Sequence, residues 1–182
     1  MKQPDTEGVI KVAIADDHAL FRAGVRTALS AKKDVELIAE ADNGMQLLNL
    51  LRHIEPDVIL FDIQMPIMDG IQTLPEIRKL RPDAKVIILS MHNDHSMISK
   101  LMEIGANSYL TKNSDSETIY QAIKTCFEQE FFFNELTNKA LLTGLRTKRT
   151  DLGGPQDVNL SDKEVRVLKL MCEEKTTKEI AD

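Results

Sequence analysis

The stretch VILFDIQMPIMDG, residues 58–70, decides the fold. Val58 to Phe61 form an unbroken apolar run, too short for a helix and without the alternation of a strand wetted on one face. Such a run reads as a strand buried on both sides, as in a parallel sheet held between two layers of helices. At Asp62 the run meets a charge, Pro66, Asp69 and Gly70 write a turn, and Ile71, Leu74 and Ile77 resume at helical spacing. Strand, polar strand end, turn and helix therefore follow one another without a break.

Working outward, the same unit recurs. Short Val/Ile-rich runs at Val9–Ala15, Val35–Ala41, Lys85–Met91 and Ser108–Lys112 join Val58–Ile63 to make five expected strands. Between them lie stripes at helical spacing: Phe21, Val25 and Leu29 within 19–31, Leu47, Leu48, Leu51 and Ile54 within 45–54, and the Ile71 stripe. Two more follow, Met97, Ile98, Leu101 and Met102 before a C-capping Gly105, and Ile119, Ile123, Cys126 and Phe127. Alternation of this kind predicts an α/β fold, a five-stranded parallel sheet with five helices, over residues 9–130. Cys126 falls on the apolar face of the fifth helix, where a small buried hydrophobe is expected rather than a reactive thiol.

After Glu130 the pattern changes. FFFNELTNKALLTGL accommodates a short helix and RTKRTDLGGPQD has the charges, glycines and proline of a linker, so 131–158 reads as a linker with a short helix in it. Residues 159–182 contain two capping boxes, Ser161 with Glu164 and Thr176 with Glu179, each opening a helix. That segment reads as an incomplete all-α unit.

Among 182 residues, 42% hydrophobic and 29% charged, nothing suggests a disordered or fibrous chain. The net charge of −6 is uneven: residues 1–130 hold 14 Lys+Arg and 20 Asp+Glu, whereas 131–182 hold nine of each. The acidic balance argues against nucleic-acid binding by the first part only. Two distant cysteines, Cys126 and Cys172, exclude a disulfide framework or a zinc site, and no signal-like or membrane-length apolar run is present. A soluble cytoplasmic protein with no membrane partner is expected.

In an open parallel α/β sheet, ligands bind at the carboxyl ends of the strands where the order reverses. Asp16 and Asp17 end the first strand, Asp62 the third, Ser90 the fourth and Lys112 the fifth. Singly, each has an ordinary reading: a helix cap, a loop carboxylate, a strand serine, a surface lysine. Together, three converging carboxylates need a neutralising partner, either Lys112 or a hard divalent cation, most simply Mg²⁺. A carboxylate beside a cation and a lysine suits attack on a phosphoryl group, with Asp62 as nucleophile and Ser90 donating to a phosphoryl oxygen.

The set ADDH at 15–18, LFDIQMPIMDG at 60–70, ILSMH at 88–92 and YLTK at 109–112 resembles the receiver domain of bacterial two-component response regulators. The resemblance implies a flavodoxin-like sheet of order 2-1-3-4-5, with Asp62 accepting a phosphoryl group from a sensor histidine kinase. It further implies Mg²⁺ held by Asp17, Asp62 and the backbone carbonyl of Gln64, with Asp16 helping through water. Lys112 would pair with the phosphoryl group, Ser90 would be the switch hydroxyl, and Tyr109 the aromatic that turns inward on activation. Asn113 stands where many receivers have proline, and a cis bond there without proline would cost about 2.5–4 kcal/mol. The tail LSDKEVRVLKLMCEEKTTKEIA resembles the start of the LuxR-type helix-turn-helix module of the NarL/FixJ group, with Glu174 where glycine is usual. The recognition helix would follow the tail, so the implied output is DNA binding by the full-length protein rather than by this segment, with homodimerisation on phosphorylation.

Two rival chemistries fit these residues less well. A haloacid-dehalogenase-type hydrolase needs a second aspartate two residues after its nucleophile, where Gln64 stands. A flavin module needs a neutral phosphate loop, which DDHALF is not. A receiver without DNA output is the third alternative. His18, His53, His92 and His95 show no metal-site spacing and read as surface or capping residues, His92 and His95 being near enough to Ser90 to edge the crevice.

Overall fold

The computed structural model describes residues 8–151. Strands β1 (Ile10–Ala15), β2 (Val35–Ala41), β3 (Val58–Asp62), β4 (Lys85–Ser90) and β5 (Ser108–Thr111) form one parallel sheet in the order β2-β1-β3-β4-β5. This is the doubly wound, flavodoxin-like order expected. All five residues of β3 are buried, which accounts for its unbroken apolar run. On one face of the sheet Val12, Ile14, Leu60, Ile87 and Leu110 pack with Val25 and Leu29 of α1 (Ala19–Ser30) and Ile119, Ile123 and Cys126 of α5 (Ser116–Gln129). Cys126 is fully buried, its thiol donates to the Asn107 carbonyl, and burial pushes its pKa up to about 12.

The remaining sheet helices are α2 (Gly44–Leu51), α3 (Gly70–Leu80) and α4 (His95–Ile104). Four of the five helices start on a side chain that accepts a first-turn backbone N–H: Asn43 from Gln46, Asp69 from Gln72, Asp94 from Met97 and Asp115 from Thr118. Helix α1 starts at His18 with no such cap, although two aspartates precede it. Gly105 ends α4 as expected, at φ +129°, and Gly70 has a different reason to be glycine. A Cβ on Gly70 would lie 2.6 Å from Ile63 Cα, and its N–H donates to the Ile63 carbonyl at 2.7 Å, closing the turn behind Asp62. Every peptide bond among the described residues is trans, including Lys112–Asn113.

Within the stretch read as a linker with a short helix in it, helix α6 runs from Glu135 to Asp151, through the charged RTKR segment, and the chain divides into compact units at 1–146 and 147–182. The cause is packing: Phe131, Thr137 and Ala140 are buried, and Asn134 exchanges hydrogen bonds with Thr137 as a helix cap. Polar composition in 146–151 reads as a linker when that anchoring is not visible. The expected helix-turn-helix start at 159–182 lies outside the described residues. No helix among them is long and apolar enough to cross a membrane.

Candidate functional site

The strand order reverses between β2-β1 and β3-β4, which sets the ends of β1 and β3 side by side. Asp16 follows β1 and is fully buried; Asp62 closes β3 and is 3% exposed. Lys112, just beyond β5, reaches across both, with Nζ 2.6 Å from Asp62 Oδ2 and 2.7 Å from Asp16 Oδ2. The first contact is a hydrogen bond; the second is an ion pair whose angles leave Asp16 Oδ2 without a hydrogen-bond donor. Burial would pull the Lys112 ammonium down, yet its close contacts with Asp16 and Asp62 and their attraction outweigh burial and hold it above the ordinary lysine value.

Asp16 Oδ1 accepts the backbone N–H of His18 at 2.8 Å, a tight local turn that directs the carboxylate into the crevice instead of onto α1. Asp17 is more exposed and pairs with the His18 ring, Nδ1 to Oδ1 2.8 Å. Asp16, Asp17, His18 and Asp62 each offer a donor atom within 4.8 Å of the others. Three carboxylates with an unsatisfied buried oxygen among them are the donor set of a hard, oxygen-preferring cation, so the residues fit Mg²⁺. Gln64 stands beside them by its backbone: its N–H donates to Asp62 Oδ1 at 3.1 Å.

Ser90 and Tyr109 form a second group. Ser90 Oγ accepts the His92 N–H at 3.2 Å, and the Tyr109 hydroxyl donates to the His92 carbonyl at 2.7 Å. Tyr109 is fully buried, its ring turned inward. Burial raises its phenol above the ordinary tyrosine value, against a smaller opposing contribution from Ser90.

The structure brings Asp16, Asp17, Asp62 and Lys112 together and links Ser90 to Tyr109 through the backbone of His92. Sequence reasoning gave His18 a surface or capping role, whereas its ring lies among the carboxylates, and it placed His92 at the edge of the crevice without the backbone role that joins Ser90 to Tyr109. It also missed Arg22, which donates to the Asp16 carbonyl, and Phe21, whose ring lies under Lys112 Nζ at 5.2 Å. The signal for the first was its place directly after two strand-end aspartates; a backbone role such as that of His92 leaves none. An apolar groove of about 630 Å³ opens beside Lys112, lined by Leu20, Phe21, Val25, Met91 and Ile119.

Residues 12–124 match the response regulator receiver domain family, and the chain belongs to that family. It is 36% identical over 124 residues to the transcriptional regulatory protein DegU of Brevibacillus brevis, covering 68% of this chain and 52% of that protein. It is 30% identical over 171 residues to the nitrate/nitrite response regulator NarL of Escherichia coli K12, covering 93% of this chain and 78% of that one. The chain thus spans about half the length of DegU and about four fifths of NarL. Among solved structures, the NarL receiver domain of Mycobacterium tuberculosis superposes with a TM-score of 0.64 at 34% identity, over 67% of this chain and 98% of that one. The relatives are response regulators of the NarL/LuxR type and transcriptional regulatory proteins.

Proposed function

We propose that this chain is the phosphoacceptor part of a two-component transcriptional regulator, with Asp62 as the phosphorylated residue. The observation that carries the reading is a nearly buried carboxylate at the reversal point of the sheet, bonded by Lys112 at 2.6 Å and flanked by Asp16 and Asp17. An Asp62 oxygen attacks the phosphorus of a phosphohistidine on the partner kinase. The P–N bond breaks as the new O–P bond forms in line, the imidazole leaves with the bonding pair, and an aspartyl-phosphate remains. Lys112 needs little reorganisation to follow the charge from the carboxylate to a phosphoryl oxygen, because its ammonium already sits at the acceptor oxygen. Asp17, Asp62 and the Gln64 carbonyl would hold Mg²⁺, with Asp16 behind them, and the cation would supply charge neutralisation at the transferring phosphoryl group. Ser90, one strand away, would turn its hydroxyl from the His92 amide to a phosphoryl oxygen.

The exposed side chains Leu20, Ile67 and Met91, at 87%, 78% and 62%, border this end of the sheet together with the apolar groove, a surface suited to docking a kinase helix while the phosphoryl group is passed. The reading places the protein in the cytoplasm, with residues 159–182 opening a LuxR-type DNA-binding domain and dimerisation accompanying phosphorylation. Nothing in it requires turnover of a separate substrate, and Gln64 in place of a second aspartate sets it apart from hydrolases that use the same acyl-phosphate. Incubation with Mg²⁺ and a small phosphodonor, followed by intact-mass measurement, tests it. One phosphoryl group should be added to the wild type and none to Asp62→Asn, and equal labelling of both, or of neither, rejects Asp62 as the acceptor.

A further inference from the structure

β5 is the edge strand of the sheet, and its outer side would present unpaired backbone groups. The segment leading into α6 covers that edge. The Phe132 N–H donates to the Asn107 carbonyl at 3.3 Å, and two residues further along each segment Asn134 Nδ2 donates to the Tyr109 carbonyl at 2.9 Å. The spacing is that of a parallel strand pair, except that at Asn134 the side chain takes the place of the main chain, whose own N–H is engaged by Thr137 Oγ1 at 2.8 Å. Further along α6, Gly144 lies so close to Ser99 of α4 that a Cβ there would collide with the Ser99 hydroxyl.

Tyr109 is therefore gripped at both ends: its carbonyl by the cap of α6, its hydroxyl by the His92 carbonyl, whose own residue binds Ser90. We infer that docked α6 and inward Tyr109 are one cooperative state, so that Asn134 is a positioning residue for the phosphoryl site acting through Tyr109, and phosphorylation in turn tightens α6 against α4 and β5. The inference rests on the phosphoacceptor reading above. The coupling is reciprocal: whatever factor α6 docking contributes to phosphoryl-site affinity, occupancy of that site returns to α6 docking. One hydrogen bond of ordinary net strength corresponds to about a two- to tenfold coupling.

Asn134→Asp separates this role from simple helix capping, because aspartate keeps the acceptor for the Thr137 N–H but has no donor for the Tyr109 carbonyl. The experiment is amide hydrogen exchange over α6 in the full chain, with Mg²⁺ and with or without beryllofluoride as phosphoryl mimic, and a parallel titration of beryllofluoride followed by fluorine NMR. In the wild type, beryllofluoride should slow exchange of amides 137–145. In Asn134→Asp it should slow them less, and beryllofluoride should bind two- to tenfold more weakly. Tyr109→Phe, which removes the hydroxyl link to His92, should likewise uncouple α6 exchange from the mimic. Wild type that binds beryllofluoride with α6 exchange unchanged or faster overturns the inference alone, as does an Asn134→Asp affinity equal to wild type. Wild type that binds no beryllofluoride overturns the phosphoacceptor reading and this inference together.

Discussion

Replacing Lys112 with methionine keeps most of the aliphatic stem and removes one charge from the most heavily charged buried position in the described fold. With Nζ at 2.6 and 2.7 Å from two carboxylates, each attraction amounts to about 6 kcal/mol at an effective dielectric of about 20. Against this stand the cost of taking the ammonium out of water, several kcal/mol, and the mutual repulsion of Asp16 and Asp62 that the lysine screens. Breaking such a buried pair from one side typically leaves a net loss of about 3–5 kcal/mol. At about 3 °C per kcal/mol for a domain of this size, Lys112→Met should melt about 9–15 °C below wild type without divalent cation. Tyr109 and Tyr120 both lie in the described unit and the chain has no tryptophan, so tyrosine fluorescence follows this domain specifically. Mg²⁺ at ten times its dissociation constant would stabilise the wild type by about 1.4 kcal/mol through mass action. It should stabilise the variant more, since cation and lysine answer the same charge. A variant that melts within 2 °C of wild type would refute the claim that Lys112 neutralises the cluster, and a larger Mg²⁺ shift in wild type would refute the shared role.

Three further outcomes follow. Arg78 is half-buried against the opposite end of the sheet, donating to the carbonyls of Gly105, Pro82 and Ala84 and to Asn107 Oδ1; Arg78→Lys cannot reproduce that fork and should cost about 2–4 kcal/mol in urea unfolding, whereas a loss below 0.5 kcal/mol would count against it. The Cys126 thiol, pushed up to about 12, should resist alkylation at pH 8 in the folded state, and full labelling within minutes in native buffer would contradict its burial. The Asp115 carboxyl is held below its usual range, first by the backbone N–H of Thr118 and then by its side chain, so its contribution is complete above about pH 4 and fades as the pH falls through its lowered value; the Tm difference between wild type and Asp115→Asn should shrink from pH 7 to pH 3, and a difference constant with pH would refute this assignment.

How much of this was legible depends on where each residue's partners lie in the chain. The strands were legible because β3 and β4 are buried on both faces and must be apolar without interruption. Asp16, Asp17, Asp62 and Lys112 were legible because strand ends in a parallel sheet converge, so four local readings combine into one site. Arg78 was not: beside Lys79 it reads as surface charge, and only the distant carbonyl of Gly105 and the Asn107 side chain make it a half-buried bracket. The extent of α6 was hidden for the same reason, since Ala140 is buried and Gly144 abuts Ser99 in a contact made across the fold.

Helix α1 shows what the site costs the fold. Helices α2 to α5 each have an Asn or Asp cap, and losing such a cap typically costs about 1 kcal/mol. Asp16 stands two residues before His18, the N-cap of α1, and directs one oxygen to the His18 N–H and the other to Lys112, while Asp17 faces the His18 ring, so neither satisfies a first-turn amide of the helix. The forgone cap is what allows both carboxylates to face the crevice. It also leaves the first turn of α1, which directly follows the cluster, without a side-chain cap, and the partial positive charge of a helix start favours negative groups nearby. The same geometry that weakens the start of α1 therefore strengthens the field in which the Asp62 carboxylate, and then a phosphoryl group on it, would reside.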